Sequence, residues 1–129
     1  MEFVSFEIAK KLKEKGFKEP CFATYDNDGM LGYVYYQPQR IHAISFDDCL
    51  YYGNDVVVAP TISQVLKWLR NEKEIYCLPH FEQGIDMWLF CIERPLAGTE
   101  FAEYISESIY NTYEDAAIAG IEYVLDNLI

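Results

Sequence analysis

Basic side chains are scarce in this chain of 129 residues: 10 lysines and arginines stand against 21 aspartates and glutamates, for a formal charge of -11 at pH 7. Polyphosphates and anionic bilayers are held by cationic side chains that displace counterions, so the balance argues against direct binding to DNA, RNA or an anionic membrane. Long apolar runs are also missing. No stretch approaches the roughly 18–20 residues of a membrane-spanning helix. The opening Met1-Glu2-Phe3-Val4 lacks the basic region, apolar stretch and cleavage site of a secretory leader. The expectation is a soluble, cytoplasmic protein. The four cysteines form no close pair, since Cys21, Cys49, Cys77 and Cys91 lie 28, 28 and 14 residues apart. That spacing excludes a zinc knuckle or dithiol redox motif and leaves them as reduced, buried, small hydrophobes. A Gly-rich phosphate loop, a serine elbow and a His-Glu-x-x-His motif are absent too, and no cofactor or metal is expected.

What is present is apolar and aromatic. Hydrophobic residues make up 51% and aromatics 16%, enough for a core, and the length suits a single domain over 1–129. Val4, Ile8, Ala9 and Leu12 fall at helical spacing within a first helix over 5–15, stopped by Gly16 with Phe17 folding back on its last turn. Runs at 21–25 and 31–36 flank Asp26-Asn27-Asp28-Gly29 and predict a hairpin. One further strand is placed over 41–46, with a variable loop and the short run Val56-Val57-Val58 after it. Thr61 and Gln64 form a capping box for a second helix, to about Asn71, striped by Ile62, Val65, Leu66 and Leu69. A second hairpin follows, 75–78 with 87–92, ending before Pro95. Residues 96–111 fit a helix or an extended segment equally. The last helix begins at Thr112 with Asp115 as its box partner and carries Ala117, Ile118, Ile121, Val124, Leu125 and Leu128 on one stripe. The order predicts an α+β fold: an antiparallel sheet of about four to five strands, built from two hairpins plus an extra strand and covered by three helices. The helices at 8–13 and 65–70 share a pattern and each precedes a hairpin, an echo that fits either a duplication or two amphipathic helices alike by chance.

Two stretches, Ala59-Pro60-Thr61-Ile62-Ser63-Gln64-Val65-Leu66-Lys67-Trp68-Leu69-Arg70 and Tyr113-Glu114-Asp115-Ala116-Ala117-Ile118-Ala119-Gly120-Ile121 with Leu125 and Leu128-Ile129, carry a resemblance. Together they resemble a family of small uncharacterised proteins from Bacteroidales genomes and their phages or mobile elements. Members share a Pro-Thr helix with Trp-Leu-Arg and a closing Tyr-Glu-Glu-Ala helix with a Gly and a Leu-rich end; Asp115 stands here where Glu is commoner. The resemblance implies a phage or mobile-element origin and brings no catalytic residue. Its motifs have structural roles: Pro60 presets a helix entry, Trp68 packs beside the stripe, and Gly120 lets the last helix approach a neighbour closely.

Individual sites are weaker than the charge pattern. Aligning Gly29 with the glycine of a calcium loop puts Thr24 at the first ligand position and Tyr35 at the bidentate one, which fails at both ends. Cys77 with His80, and His42 with Cys49, are the candidate thiol–imidazole pairs. Residues 1–20 hold five bases against four acids, 21–95 five against ten, and 96–129 none against seven. On the last helix Asp115, Glu122 and Asp126 face away from the stripe, with Glu100, Glu103 and Glu107 nearby in sequence. Eleven tyrosines are more than the core can take in, so Tyr51-Tyr52-Gly53 is a candidate contact loop. The candidate interaction surface is therefore Asp115, Glu122, Asp126, Tyr51 and Tyr52. These features favour a non-enzymatic protein–protein interaction module acting on a basic partner, in its sharpest form a nucleic-acid mimic that occupies a DNA-binding protein. The alternatives are a small cysteine-dependent enzyme, or a homo-oligomeric structural component such as a minor virion part; charge that only keeps the chain soluble is the bland account.

Overall fold

The computed structural model describes residues 2–33, 36–37, 40–41, 56–96 and 101–129. The fold is α+β with antiparallel sheets, and the chain divides into two compact units, Met1–Thr61 and Ile62–Ile129. Among the described residues no helix is long and apolar enough to cross a membrane.

The first unit begins with helix α1 (Phe6–Glu14), capped by Ser5, whose Oγ accepts from the Ile8 amide at 3.2 Å. Its end is set by Gly16 at φ 89°, a left-handed conformation in which a Cβ is unfavourable. There the Gly16 amide donates to the Lys13 carbonyl and the Phe17 amide to that of Leu12, while Phe17 and Leu12 are both fully buried. Strand β1 (Ala23–Tyr25) pairs with β2 (Leu31–Tyr33) on one side and β5 (Val57–Val58) on the other; β3 (Tyr36–Gln37) and β4 (Arg40–Ile41) form a separate two-stranded ribbon. The Asp26 carboxylate closes the first hairpin by accepting from the amides of Asp28 and Met30, both at 2.9 Å. Val4, Ile8, Leu12, Phe17, Cys21, Ala23 and Val58 form this unit's core, and the buried Tyr25 hydroxyl donates to the Val4 carbonyl. Apart from Ile41, the strand expected over 41–46 lies outside the described residues.

The second unit opens with helix α2 (Ile62–Glu72), which buries Ile62, Val65, Leu66, Trp68 and Leu69. A three-stranded antiparallel sheet follows, in the order β6 (Tyr76–Glu82), β7 (Met87–Pro95), β8 (Phe101–Ile105). The hairpin is longer than its apolar runs indicate, because Pro79 sits inside β6; as an edge strand paired only with β7, β6 tolerates a residue without an amide proton. Residues 101–105 of the segment open to two readings are extended. Among the described residues the strands thus fall into two three-stranded sheets and a ribbon, where the sequence pattern gathers four to five into one sheet.

Helix α3 (Tyr113–Asn127) closes the unit, with Thr112 as its cap: Oγ1 accepts from the Asp115 amide at 3.1 Å. It packs on β6 and β7, burying Ala116, Ala117, Gly120, Ile121, Val124 and Leu125. Ile118 and Leu128 of the expected stripe are only half-buried. Contact is closest at Gly120, where an added Cβ would stand 2.5 Å from Cys77 Sγ and 3.1 Å from Phe90 Cγ.

Candidate functional site

Alternation along the sheet of the second unit sorts its chemistry. Cys77, Phe90, Ile92 and Tyr104 share the face that α3 covers, while Leu78, His80, Cys91, Glu93 and Glu103 share the other, by register and period-2 parity. Cys77 and His80 are three residues apart on one strand and therefore point to opposite faces. Cys77 is buried beneath α3, and His80 is exposed with its Nε2 3.7 Å from a Glu82 carboxylate. Burial, and secondarily Cys91, pushes the Cys77 thiol from its ordinary 9.0 up to about 12, the reverse of what a nucleophile needs. Native protein at pH 8 is accordingly expected to leave Cys77 unalkylated, with full labelling in denaturant; labelling of Cys77 in the native state would contradict this burial. A raised folded value also means that the folded state holds the proton longer than the unfolded chain does. Stability from this group is complete below about pH 9 and is lost as pH climbs toward 12, on the order of 4 kcal/mol in all. His42 and Cys49 lie outside the described residues.

On the uncovered face, Glu93 and Glu103 are cross-strand partners with Cys91 beside them, and their ligand atoms lie within 4.8 Å of one another. The Cys91 thiol points to Glu103 Oε1 at 3.8 Å and is pushed up by partial desolvation first, then by Glu103 and Glu93. Pairing register alone brings these three groups together.

The covered face ends in a different arrangement. Beyond Ser106, whose amide donates to the Phe90 carbonyl, the chain leaves the ladder for Glu107, Ser108 and Ile109 and rejoins β7 where Tyr110 exchanges both backbone bonds with Trp88. Three residues there, Glu107 to Ile109, oppose the single Leu89 of β7, which makes a bulge in the pairing. Ser106 holds its base: Oγ accepts from the Phe90 amide at 3.1 Å and donates to the Ser108 carbonyl at 2.9 Å. Ser106→Ala is expected to cost about 1–2 kcal/mol in denaturant unfolding and to speed amide exchange at Glu107 and Ser108. An unchanged midpoint would contradict the role given to this hydroxyl.

Between this bulge and α3 lies an open groove of about 360 Å³. Its floor is aromatic. Tyr104 of β8 and Tyr123 of α3 stack with ring centroids 4.1 Å apart and planes 8° from parallel. Buried Phe90 lies 6.0–6.2 Å from the rings of Tyr104, Tyr110 and Tyr123. Glu107 lines the groove from the bulge, and Glu122 and Asp126 line it from α3, without a lysine or arginine among the described residues that line it. The helix contributes through one stripe, Ala119, Glu122, Tyr123, Asp126 and Asn127, at i, i+3, i+4, i+7 and i+8. The Tyr104 hydroxyl titrates above its ordinary value, through desolvation first and then through Tyr123, Glu107 and Tyr110.

Two of the acids expected at a contact surface, Glu122 and Asp126, therefore meet here together with Glu107. Asp115 is exposed in the first turn of α3, on the order of 16 Å along the axis from Asp126, and takes no part. Glu103 faces the other side of the sheet. Tyr51, Tyr52 and Glu100 lie outside the described residues. Tyr123 is the residue that sequence reasoning overlooked, and its place in the 119–122–123–126 stripe was the available signal. Compared with known proteins, the chain matches no family model, no curated protein and no solved structure.

Proposed function

We propose that the protein is a non-enzymatic interaction module whose acidic, tyrosine-rich surface engages a basic segment of another protein. The observation that carries this reading is the groove itself, three carboxylates on two elements over a floor of tyrosine rings. Carboxylates supply long-range attraction, and tyrosines supply rigid contact area of the kind that dominates interface energetics. The origin in a phage or mobile element rests on the family resemblance of the two helices.

The test is affinity capture of the tagged protein from host lysate, washed at low and at high salt, beside the Glu122→Lys/Asp126→Lys variant. A basic partner held by the native protein, released by salt and not held by the variant is the expected result. A partner held equally by the variant would place the interaction elsewhere, and an empty result in lysates with and without phage induction would overturn the reading.

A further inference from the structure

Apart from the groove, the sheet of the second unit presents a surface at its edge. The phase of the pairing fixes which backbone groups look outward. Trp88 exchanges both backbone bonds with Tyr110, and the Phe90 carbonyl accepts from the Ser106 amide. The even residues of β7 and β8 therefore bond each other, and the odd residues of β8 turn their N–H and C=O away from the sheet. Glu103 and Ile105 are exposed, and among the described residues nothing pairs with their backbone groups. The opposite edge is closed. The odd residues of β7 bond the even residues of β6, which leaves Cys77, Pro79 and Phe81 turned outward. Pro79 thus interrupts that row of donors at its centre, and α2 packs beside the strand. β8 has no proline, and the bulge begins only after Ile105. We infer that β8 is a docking edge that takes an extended segment of another protein as a fourth, antiparallel strand, with a lysine or arginine opposite Glu103 and an apolar residue opposite Ile105. The main chain supplies the bonds, and the rows across the sheet select the side chains. Leu78, Cys91 and Ile105 form one row on the uncovered face, which an apolar residue continues. In the next row Glu93 and Glu103 stand directly opposite each other, a pairing of like charges that a cation beside Glu103 relieves. The same carboxylates act against a second copy of this chain, whose residues 96–129 hold seven acids and no base.

The experiment is titration of the full chain with a capped nonapeptide in which threonine alternates with valine and the centre reads Ile-Thr-Lys, the order an antiparallel strand needs. At saturation the amides of Glu103 and Ile105 are expected to exchange at least about tenfold more slowly, while those of Ala102 and Tyr104, already bonded to β7, change little. Methylation of peptide nitrogens separates strand addition from attraction between side chains. Methyl groups on the Ile and Lys nitrogens, which face β8, are expected to abolish binding, whereas one on the central Thr nitrogen, which points away, leaves affinity within about threefold. Lys→Glu in the peptide is expected to weaken binding at least about tenfold, and Glu103→Lys in the protein to reverse that preference. No binding at millimolar peptide, no slowing at Glu103 and Ile105, or equal loss from both methylation patterns would overturn the docking edge. A free chain that is dimeric by light scattering, with Glu103 and Ile105 already slow to exchange, would give the edge to a second copy and overturn it as well. None of these readouts involves Glu107, Glu122 or Asp126, so this test and the capture experiment fail independently.

Discussion

Replacing Gly120 by leucine is expected to prevent the second unit from folding. A Cβ at this position would lie 2.5 Å from Cys77 Sγ and 3.1–3.2 Å from Phe90 Cγ and Cβ. Phe90 is 4% exposed and its Cβ is fixed to the central strand, so it cannot swing aside as the end of a flexible side chain would. Leucine is an excellent helix former, and its loss of stability would be steric, about 3 kcal/mol or more. Alanine sharpens the argument. In an exposed helix Gly→Ala gains about 1 kcal/mol, so a net loss of about 1–2 kcal/mol for Gly120→Ala would require the overlap to exceed that gain. Cys77→Ala in the same chain removes the nearest atom and is expected to restore part of the loss, a coupling that a double-mutant cycle by denaturant unfolding measures. Stabilisation by Gly120→Ala would mean that α3 stands off the sheet, and the floor of the groove would then be misplaced as well.

The second large effect concerns binding with the fold kept intact. Glu122→Lys/Asp126→Lys is expected to weaken the basic partner at least about 100-fold at low ionic strength, since two attractions become two repulsions. Both residues are exposed, and Asp126 occupies the end of α3 that favours cations. Stability should therefore hold or rise by about 0.3–1 kcal/mol. Opposite signs in the two measurements separate loss of a contact from loss of structure. Unchanged affinity would remove the α3 carboxylates from the interface.

The helices were legible because their signals are local: apolar spacing, Ser5 and Thr112 as caps, and the Gly16–Phe17 stop all operate within a few residues. The hairpins were legible from turn chemistry, with the second cut short at Pro79 because an edge position is a tertiary property. The separation into sheets was not legible, since it depends on pairings such as Thr24 with Val58 that are remote in sequence. The excess of acid in the last quarter was visible as composition, but its division between two faces was not. Glu103 and Tyr104 alternate only once 101–105 is known to be a strand, and Glu107 reaches the groove only through a bulge that no short motif marks. Tyr123 stood one position from Glu122 on the last helix, hidden because the apolar stripe drew attention to the opposite side.

The most direct measurement is chemical-shift mapping by NMR as a short peptide rich in lysine and arginine is added to labelled protein. Perturbations gathered at Phe90, Tyr104, Glu107, Ser108, Glu122, Tyr123 and Asp126, fading as salt rises, are the predicted result. Perturbations centred on Tyr76, Leu78 and Ile105 of the uncovered sheet face, or confined to the first unit, would contradict the assignment of the groove as the working surface.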